Sequence, residues 1–230
     1  MVNPRAVQDA FLSFDDDATL LTIVRHGQQD VPAWGKFDPS DWSDPPLSAL
    51  GLQQADALGR AFADIAFDCL VSSAMIRAKQ TADAIAKHHD IGNVPRIEEL
   101  NEVGAHRSHT AGSEPATRED PDVWAARIEK FIAKPRWSDI PGGETGPELR
   151  ERIVPVFEEL LEKHAGGHVV VVCHGGVMNA YLAHILDWDG DMLFLPAHTS
   201  YSTVRAKGSK RVIQSINERC HLNAEGLVSF

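Results

Sequence analysis

Short apolar runs of strand length, each followed by a segment of helical periodicity, constrain the fold of this 230-residue chain more than any other feature. Residues 20–24 and 169–173 are largely aliphatic and are too short to form buried helices. A third run of this kind covers residues 67–71. Alternating strands and helices predict an α/β fold, a three-layer sandwich in which a mainly parallel central sheet is flanked by helices.

The segments between these runs predict the other elements. Apolar residues recur at helical spacing from Leu47-Ser48, over 74–85, from about Gly146 and over 175–186. Ser72 and Ser73 are placed to cap the second of these helices, and Pro155 to kink the third or break its hydrogen-bond ladder. Residues 199–205 and 211–216 predict a β-hairpin.

Composition along the chain predicts its domain organisation. Residues 1–17 form a polar leader that carries a short helix, and residues 18–230 form a single domain. Residues 103–144 are rich in Gly, Pro, Ser, Thr, His and Arg, with one amphipathic helical pattern at 123–132. A segment of this length inside a compact domain predicts an inserted cap.

The charge balance disfavours two classes of partner. The chain has 22 Lys and Arg against 33 Asp and Glu, a net charge of −11, so we expect it to bind neither nucleic acid nor membrane. Its three cysteines cannot build a disulfide scaffold and match no metal-ligand spacing, so we expect reduced thiols and no metal site. Residues 1–17 lack the basic-then-apolar order of a secretory signal, and we expect a cytoplasmic protein.

Histidines and arginines follow the predicted strands. Arg25-His26-Gly27 comes after the first, Arg77 lies in the first turn after the second, and His174-Gly175-Gly176 comes after the third. Because ligands of such sheets bind beyond the carboxyl ends of the strands, these residues are expected to meet at one edge. A glycine beside each histidine would let a ligand approach the backbone.

This set of side chains suits a phosphate group. Guanidinium groups offer paired donors to phosphate oxygens, and a neutral imidazole can act as a covalent nucleophile. Nearby arginines would lower the pKa of that imidazole and so keep it neutral. Each histidine alone could instead be a core residue satisfied by backbone groups, but the two histidines with two arginines at strand ends favour function.

Other residues have two interpretations. Cys173 could be a reactive thiol, but a small apolar residue at the end of a valine-rich strand is the better interpretation. Five cations of the predicted cap could bind a second anionic group of a substrate or could decorate the surface; they are His106, Arg107, Arg118, Arg127 and Arg136.

A series of motifs occurs in order between residues 20 and 222. They are Ile23-Val24-Arg25-His26-Gly27, Asp44-Pro45-Pro46-Leu47-Ser48, Gly51 with Gln54-Ala55, the segment 72–82 (SSAMIRAKQTA), Leu100-Asn101-Glu102, Pro141-Gly142-Gly143-Glu144-Thr145, and Val171-Val172-Cys173-His174-Gly175-Gly176. In this order, the series resembles the histidine phosphatase superfamily of phosphoglycerate mutase-like proteins. The resemblance is weakest over residues 103–140.

The resemblance implies a role for each residue. His26 would accept the phosphoryl group as nucleophile, while Arg25, Arg77 and His174 would hold its oxygens. Glu102 would protonate the leaving oxygen and then serve as the base for water. No cofactor is implied.

The chain departs from the family pattern in two places. Gly104 follows Glu102 sooner than the pattern expects, which leaves Glu98 and Glu99 as candidates for the acid. After Arg-His-Gly, Gln29 and Pro32 stand where many members have a small hydroxyl residue and an Asn. Gln29 could still donate a hydrogen bond to phosphate, whereas Pro32 could not.

Together these features predict a phosphatase that hydrolyses a small phosphomonoester through a phosphohistidine on His26. The alternatives are a phosphoglycerate mutase that uses the same histidine and a weakly catalytic protein that binds a phosphorylated ligand. The expected partner is a small phosphorylated metabolite, and a homodimer is a further possibility. Residues 103–144 do not resemble the longer segment of glycolytic mutases, which favours the hydrolase.

Overall fold

A computed structural model describes residues 4–13, 15–30, 44–104, 126, 129–139 and 144–230. The strands are β1 (Thr19–Arg25), β2 (Cys69–Ser73), β3 (Arg96–Ile97), β4 (His168–Cys173), β5 (Tyr201–Lys207) and β6 (Lys210–Glu218). The α-helices with assigned bounds are α1 (Pro4–Ala10), α2 (Ala49–Phe62), α3 (Ile76–Ala86), α4 (Gly146–Lys163), α5 (Gly175–Ile185) and α6 (Cys220–Asn223). Short 3-10 helices span Glu98–Leu100 and Trp137–Asp139.

The six strands form one sheet in the order β3-β2-β4-β1-β5-β6. β3, β2, β4 and β1 run parallel, whereas β5 pairs antiparallel with β1 and with β6. The mainly parallel α/β sheet and the β5–β6 hairpin are confirmed. Arg25 lies opposite Cys173, and Ser72 opposite Val172, so β1, β4 and β2 end at the same edge of the sheet.

Each face of the sheet buries its own hydrophobic core. Leu21, Ile23, Val169 and Val171 pack with apolar residues of α4 and α5. Their neighbours along the same strands, such as Val24, pack on the other face against α2 and α3. Because successive side chains of a strand point to opposite faces, runs that are apolar at every position require cover on both sides, which makes the three-layer arrangement.

One local prediction differs from the structure. Ser72 and Ser73 do not cap α3, because both belong to β2, where they pair with β4 and β3. The N-cap of α3 is Met75, whose amide donates to Ser73 Oγ. Pro155 lies inside α4, which continues to Lys163, and its missing N–H removes one bond from the helical ladder. The ring lies on the exposed side of the helix, where water can satisfy the carbonyl that loses its partner.

The predicted leader contacts the sheet. Leu12 is buried, and the carboxylate of Asp15 accepts hydrogen bonds from Lys207 at the end of β5. Residues 105–125, 127–128 and 140–143 of the predicted cap lie outside the described residues, so the division into leader, domain and cap stays a prediction. Within the described part of the chain, no helix is both long and apolar enough to cross a membrane.

Candidate active site

The common edge of β1 and β4 brings together the two histidines that follow these strands. His26 and His174 are 3% and 0% exposed, and their ring centroids lie 5.0 Å apart in an edge-to-face arrangement. His26 N–H donates to the carbonyl of Cys173, which fixes the two strand ends side by side. The parallel register therefore places both imidazoles in one cluster.

The hydrogen bonds of His26 define which nitrogen is free to react. Nδ1 lies 2.7 Å from the carbonyl oxygen of Gly27, which can only accept, so Nδ1 carries the hydrogen. Arg77 Nε donates to Nε2 at 3.1 Å, so Nε2 carries the lone pair. Burial first, then the charges of Arg77 and Arg25, hold the pKa of His26 well below its usual range. The ring is thus a neutral imidazole with its basic nitrogen among cations.

His174 has the opposite arrangement. Its Nε2 lies 2.7 Å from Ser73 Oγ. That hydroxyl donates its hydrogen to Asn101 Oδ1, so His174 Nε2 must be the donor. Nδ1 of His174 is buried and has no hydrogen-bond partner among the described residues. Burial first, then the charges of Arg77 and His26, lower the pKa of His174 well below its usual range.

Both arginines present buried donors to the same cluster. Arg77 is 5% exposed, and its Nη1 lies 3.6 Å from a carboxylate oxygen of Asp44, beyond hydrogen-bond distance. Arg25 Nη1 donates to the carbonyl of Pro196. Among the described residues, Arg25 Nε and Arg77 Nη1 have no hydrogen-bond acceptor. Buried donors without partners are rare, and a tetrahedral anion between the two guanidiniums would satisfy them.

Arg25 keeps its positive charge although it is buried beside a second cation. Burial first, opposed by the charge of Glu102 and assisted by that of Arg77, lowers the pKa of Arg25 to about 10. The guanidinium still carries its charge at neutral pH. The site is therefore positively charged, although the chain as a whole has a net charge of −11.

Glu102 lies at the N-terminus of α5. Its Oε1 accepts hydrogen bonds from the amides of Gly176, at 3.1 Å, and Val103, at 3.0 Å. Its charge also acts on both Arg25 and Arg77. The carboxyl group therefore lies near both guanidiniums and the N-terminus of α5, the groups that would bind an anion.

The other two candidates for the acid point elsewhere. Glu98 and Glu99 are exposed on the short 3-10 helix, and the main-chain carbonyl of Glu99 accepts a hydrogen bond from Arg152. The geometry favours Glu102 over both. Its catalytic role stays a prediction.

The two glycines that follow the histidines, Gly27 and Gly175, have different surroundings. A Cβ at Gly27 would lie 2.6 Å from the carbonyl oxygen of Gly51, and the Gly27 amide donates to Thr81 Oγ1. Packing against α2 therefore requires glycine at position 27, and the approach of a ligand to Gly27 stays a prediction. A Cβ at Gly175 would make only ordinary contact, 3.6 Å from Arg25 Nε. Gln29 pairs with Leu47 through the main chain, and its contact with substrate stays a prediction.

Several residues of the site were missed in the sequence. Gly176 matters because a Cβ there would lie 2.5 Å from Glu102 Oε1, so only glycine leaves room for the carboxylate. Ser73 and Asn101 orient His174, whereas the sequence predicted Ser73 as a helix cap and Asn101 was quoted only for the resemblance. His198 also lies beside His26, with ring centroids 5.9 Å apart. No motif marked it, since it follows a loop rather than a predicted strand.

The predicted cap residues are only partly described. Arg136 donates to the carbonyl of Asp189 at 2.5 Å and lies near the carboxylates of Asp189 and Asp191. It thus anchors the 134–139 segment to the loop after α5. Residues 129–133 are helical and overlap the end of the predicted helix 123–132. His106, Arg107, Arg118 and Arg127, like Pro32, lie outside the described residues.

Cys173 is fully buried at the end of β4, and burial, the larger effect, and the charge of Glu102 raise the pKa of its thiol. This is the environment of an inert thiol rather than a reactive one.

A doubly covered, mainly parallel sheet with two arginines and two histidines at one edge defines a protein built to hold a phosphoryl group. Residues 21–219 match the family model of the histidine phosphatase superfamily, branch 1. The chain belongs to this superfamily. The family and the phosphoglycerate mutase-like α/β fold predicted from the sequence are confirmed.

Relatives with different names share this fold and sequence pattern. The chain is 29% identical over 219 residues to a metal-independent phosphoserine phosphatase of Arabidopsis thaliana, covering 93% of this chain and 87% of the relative. It is 28% identical over 187 residues to a 2,3-bisphosphoglycerate-dependent phosphoglycerate mutase of Methylobacterium radiotolerans, covering 73% and 79%. A solved phosphoserine phosphatase of Entamoeba histolytica in complex with phosphoserine has a TM-score of 0.65 and 21% identity, covering 89% and 99%.

Proposed function

We propose that this protein hydrolyses small phosphate monoesters through a phosphohistidine intermediate on His26. The observation that carries the proposal is the orientation of His26, whose hydrogen is committed to Gly27 and whose Nε2 lone pair lies beside Arg77. A neutral buried imidazole in this state is a nucleophile that has no proton to lose before it attacks.

In the first step, the Nε2 lone pair forms a bond to phosphorus while the ester P–O bond breaks. The electron pair of that bond leaves with the oxygen, which takes a proton from the carboxylic acid of Glu102. Arg77 Nε, freed from Nε2, and Arg25 Nε then donate to the phosphoryl oxygens, where charge develops. The Nδ1–H bond to Gly27 stabilises the positive charge that the ring acquires.

In the second step, the Glu102 carboxylate takes a proton from water as the water oxygen attacks phosphorus. The N–P bond breaks, its electron pair returns to Nε2, and inorganic phosphate leaves. The free acid of Glu102 is restored. One carboxyl group therefore serves as acid and then as base, as microscopic reversibility allows.

The first test replaces the nucleophile. We expect His26→Ala to abolish phosphate release from nitrophenyl phosphate and to prevent formation of an acid-labile, base-stable phosphoenzyme after rapid quenching. His88→Ala, at an exposed histidine, is the matched control and should keep both. Turnover that survives in the His26 variant would overturn the mechanism.

Phosphoserine is the first physiological compound to test. The phosphoserine phosphatase of Arabidopsis thaliana aligns with 93% of this chain, which supports a small substrate with charged groups beside the phosphate. A panel of phosphorylated metabolites, assayed for release of inorganic phosphate, ranks phosphoserine against the others. If another compound of the panel has a much higher kcat/KM than phosphoserine, phosphoserine is not the physiological substrate.

A mutase is the second candidate, because the Methylobacterium radiotolerans relative carries that name. It would use the same phosphohistidine but return the phosphoryl group to a glycerate hydroxyl instead of water. Incubation with 3-phosphoglycerate and catalytic 2,3-bisphosphoglycerate separates the two. We expect phosphate release to exceed formation of 2-phosphoglycerate, and the reverse ratio would favour the mutase.

A further inference from the structure

His198 is a third imidazole in the cluster, and neither the mechanism above nor the resemblance gives it a role. It is 5% exposed, and its ring centroid lies 5.9 Å from that of His26. Burial first, then the charge of Arg25, lowers the pKa of His198 to about 3. A neutral, buried imidazole thus lies beside both the nucleophile and a phosphate-binding arginine.

A chain of hydrogen bonds connects His198 to Ser229 and Gln54. Gln54 Oε1 accepts from the amide of Gln28 at 2.8 Å, so the Gln54 amide nitrogen faces the other way. There it donates to the carbonyl of Leu227 at 2.7 Å and to Ser229 Oγ at 2.8 Å. The Leu227 carbonyl can only accept, which confirms this orientation of the amide.

Ser229 connects the Gln54 amide to the His198 ring. Its oxygen already accepts from Gln54, so its own hydrogen is free for His198 Nδ1, 2.9 Å away. When Ser229 Oγ donates this hydrogen to Nδ1, the hydrogen of the neutral His198 ring lies on Nε2. The His198 amide also donates to the Ser229 carbonyl at 2.9 Å, which holds the two residues together.

The loop that carries His198 is fastened to the end of β1. Thr199 N–H donates to the carbonyl of His26 at 3.2 Å, and Arg25 N–H donates to the carbonyl of Ser200 at 2.9 Å. Thr199 has a φ of 55°, which is unfavourable for a β-branched residue. The backbone is thus held in a strained conformation directly beside His198, a feature that often marks a functional position.

We propose that His198 is a further substrate-binding residue, which donates a hydrogen bond from Nε2 to the phosphoryl group and is fixed in this tautomer by Ser229 and Gln54. The proposal rests on the phosphoryl-binding function proposed above. The two neutral rings then have different roles. His26 has a lone pair at Nε2 and attacks, whereas His198 has a hydrogen at Nε2 and cannot attack.

The binding test uses sulfate, a tetrahedral anion that does not titrate near neutral pH. His198→Phe, which keeps a ring but has no donor, should weaken sulfate binding by about 10- to 100-fold, the range for one hydrogen bond to a charged group. His198→Gln places an amide nitrogen near the position of Nε2 and should recover most of that affinity. His168→Phe is the matched control, at a partly buried histidine at the opposite end of β4, and should bind sulfate as the unaltered protein does.

The tautomer is tested directly, without reliance on a variant that must fold. Nitrogen NMR of the imidazoles in the unaltered protein should show the hydrogen of His198 on Nε2 and that of His26 on Nδ1. Ser229→Ala should let His198 populate the other tautomer and should lower sulfate affinity. A hydrogen on Nδ1 of His198 in the unaltered protein, or unchanged sulfate affinity in His198→Phe, would overturn the proposal.

The outcomes also separate this inference from the proposed function. If His26→Ala abolishes turnover while His198→Phe binds sulfate normally, only the role of His198 fails. If His26→Ala retains turnover, the phosphohistidine mechanism fails instead. Detection of phosphate on His198 in the His26 variant would show that His198 is a nucleophile and would overturn its assignment as a donor.

Discussion

One hydrogen on each ring separates the roles of His26 and His174. His26 holds its hydrogen on Nδ1, against Gly27, and keeps a lone pair on Nε2, which accepts a hydrogen bond from Arg77. His174 holds its hydrogen on Nε2, against Ser73, and leaves a buried Nδ1 without a partner among the described residues. To donate to an anion through Nδ1, His174 must first gain a proton.

Proton uptake should therefore accompany anion binding. Because its pKa is lowered, His174 is neutral in the free protein, and a bound anion would raise that pKa. We expect sulfate binding to take up about one proton and to weaken about tenfold per unit rise in pH. Calorimetry in buffers of different ionisation enthalpy measures the uptake. His174→Phe should abolish it and Glu102→Gln should not; uptake that is absent from the unaltered protein contradicts the idea.

Glu102 should matter most when the leaving group is poor. Loss of a general acid costs about 100-fold or more in rate where the leaving oxygen needs the proton. For Glu102→Ala we expect a loss of this size in kcat/KM with alkyl phosphates and a much smaller loss with nitrophenyl phosphate, whose leaving group is already stable as an anion. Because kcat/KM reports the first transfer, the later role of Glu102 as base does not obscure the comparison. Glu99→Ala is the control, and equal losses on both substrates would place the acid elsewhere.

At the scale of elements, α4 holds the segment that carries Glu102 through one buried arginine. Arg152 on α4 forms a buried ion pair with Glu144 and donates to the main-chain carbonyls of Glu99 and Asn101. These contacts fix the turn that precedes Glu102. The Thr145–Glu148 capping box at the start of the same helix defines where α4 begins.

Removal of Arg152 should damage stability and activity together. Arg152→Gln leaves the Glu144 carboxylate buried without its partner, and we expect a loss of about 3–5 kcal/mol in the free energy of unfolding. Urea denaturation measures it. Glu144→Gln combined with Arg152→Gln should lose less, because no charge remains buried. Arg60→Gln, at an exposed ion pair, should change little; a similar loss there would contradict the assignment to burial.

At the scale of the whole molecule, five partly or fully buried histidines among the described residues have a lowered pKa. They are His26, His168, His174, His198 and His221. Burial is the first cause in each case. In the unfolded chain these rings take up protons near pH 6.5, whereas in the folded protein they resist protonation at that pH.

The folded protein should therefore lose stability as the pH falls. Above about pH 6.5 both states are neutral at these rings and the contribution is constant. Below it, the unfolded chain binds more protons, and stability falls by about 1.4 kcal/mol per pH unit for each ring involved. The decline for His221 ends near its folded pKa of about 4. Thermal unfolding in sulfate-free and phosphate-free buffers should show the midpoint dropping from pH 7 to pH 5, and a flat profile would contradict the buried neutral rings.

The linear sequence determined the fold class and the principal residues of the site. Strands that are apolar at every position require helices on both faces of the sheet. Neighbouring parallel strands also end at a common edge. Arg25 and His26 directly follow one such strand, and His174 follows another. The sequence therefore places these three residues close together. Arg77 could be added because it lies in the first helical turn after a third strand.

The tertiary structure alone decided how those residues are oriented. Ser73 and His174 are 101 positions apart, and Gln54 and Ser229 are 175 apart, so no local pattern relates them. The sequence predicted Ser73 as a helix cap because the residues that follow it are helical. In the structure, Ser73 pairs with β3, which makes it part of β2 and places it near His174. Hydrogen-bond polarity depends on which donors and acceptors the completed fold brings within 3 Å or so of each other, and that is a property of the packed chain rather than of any segment in it.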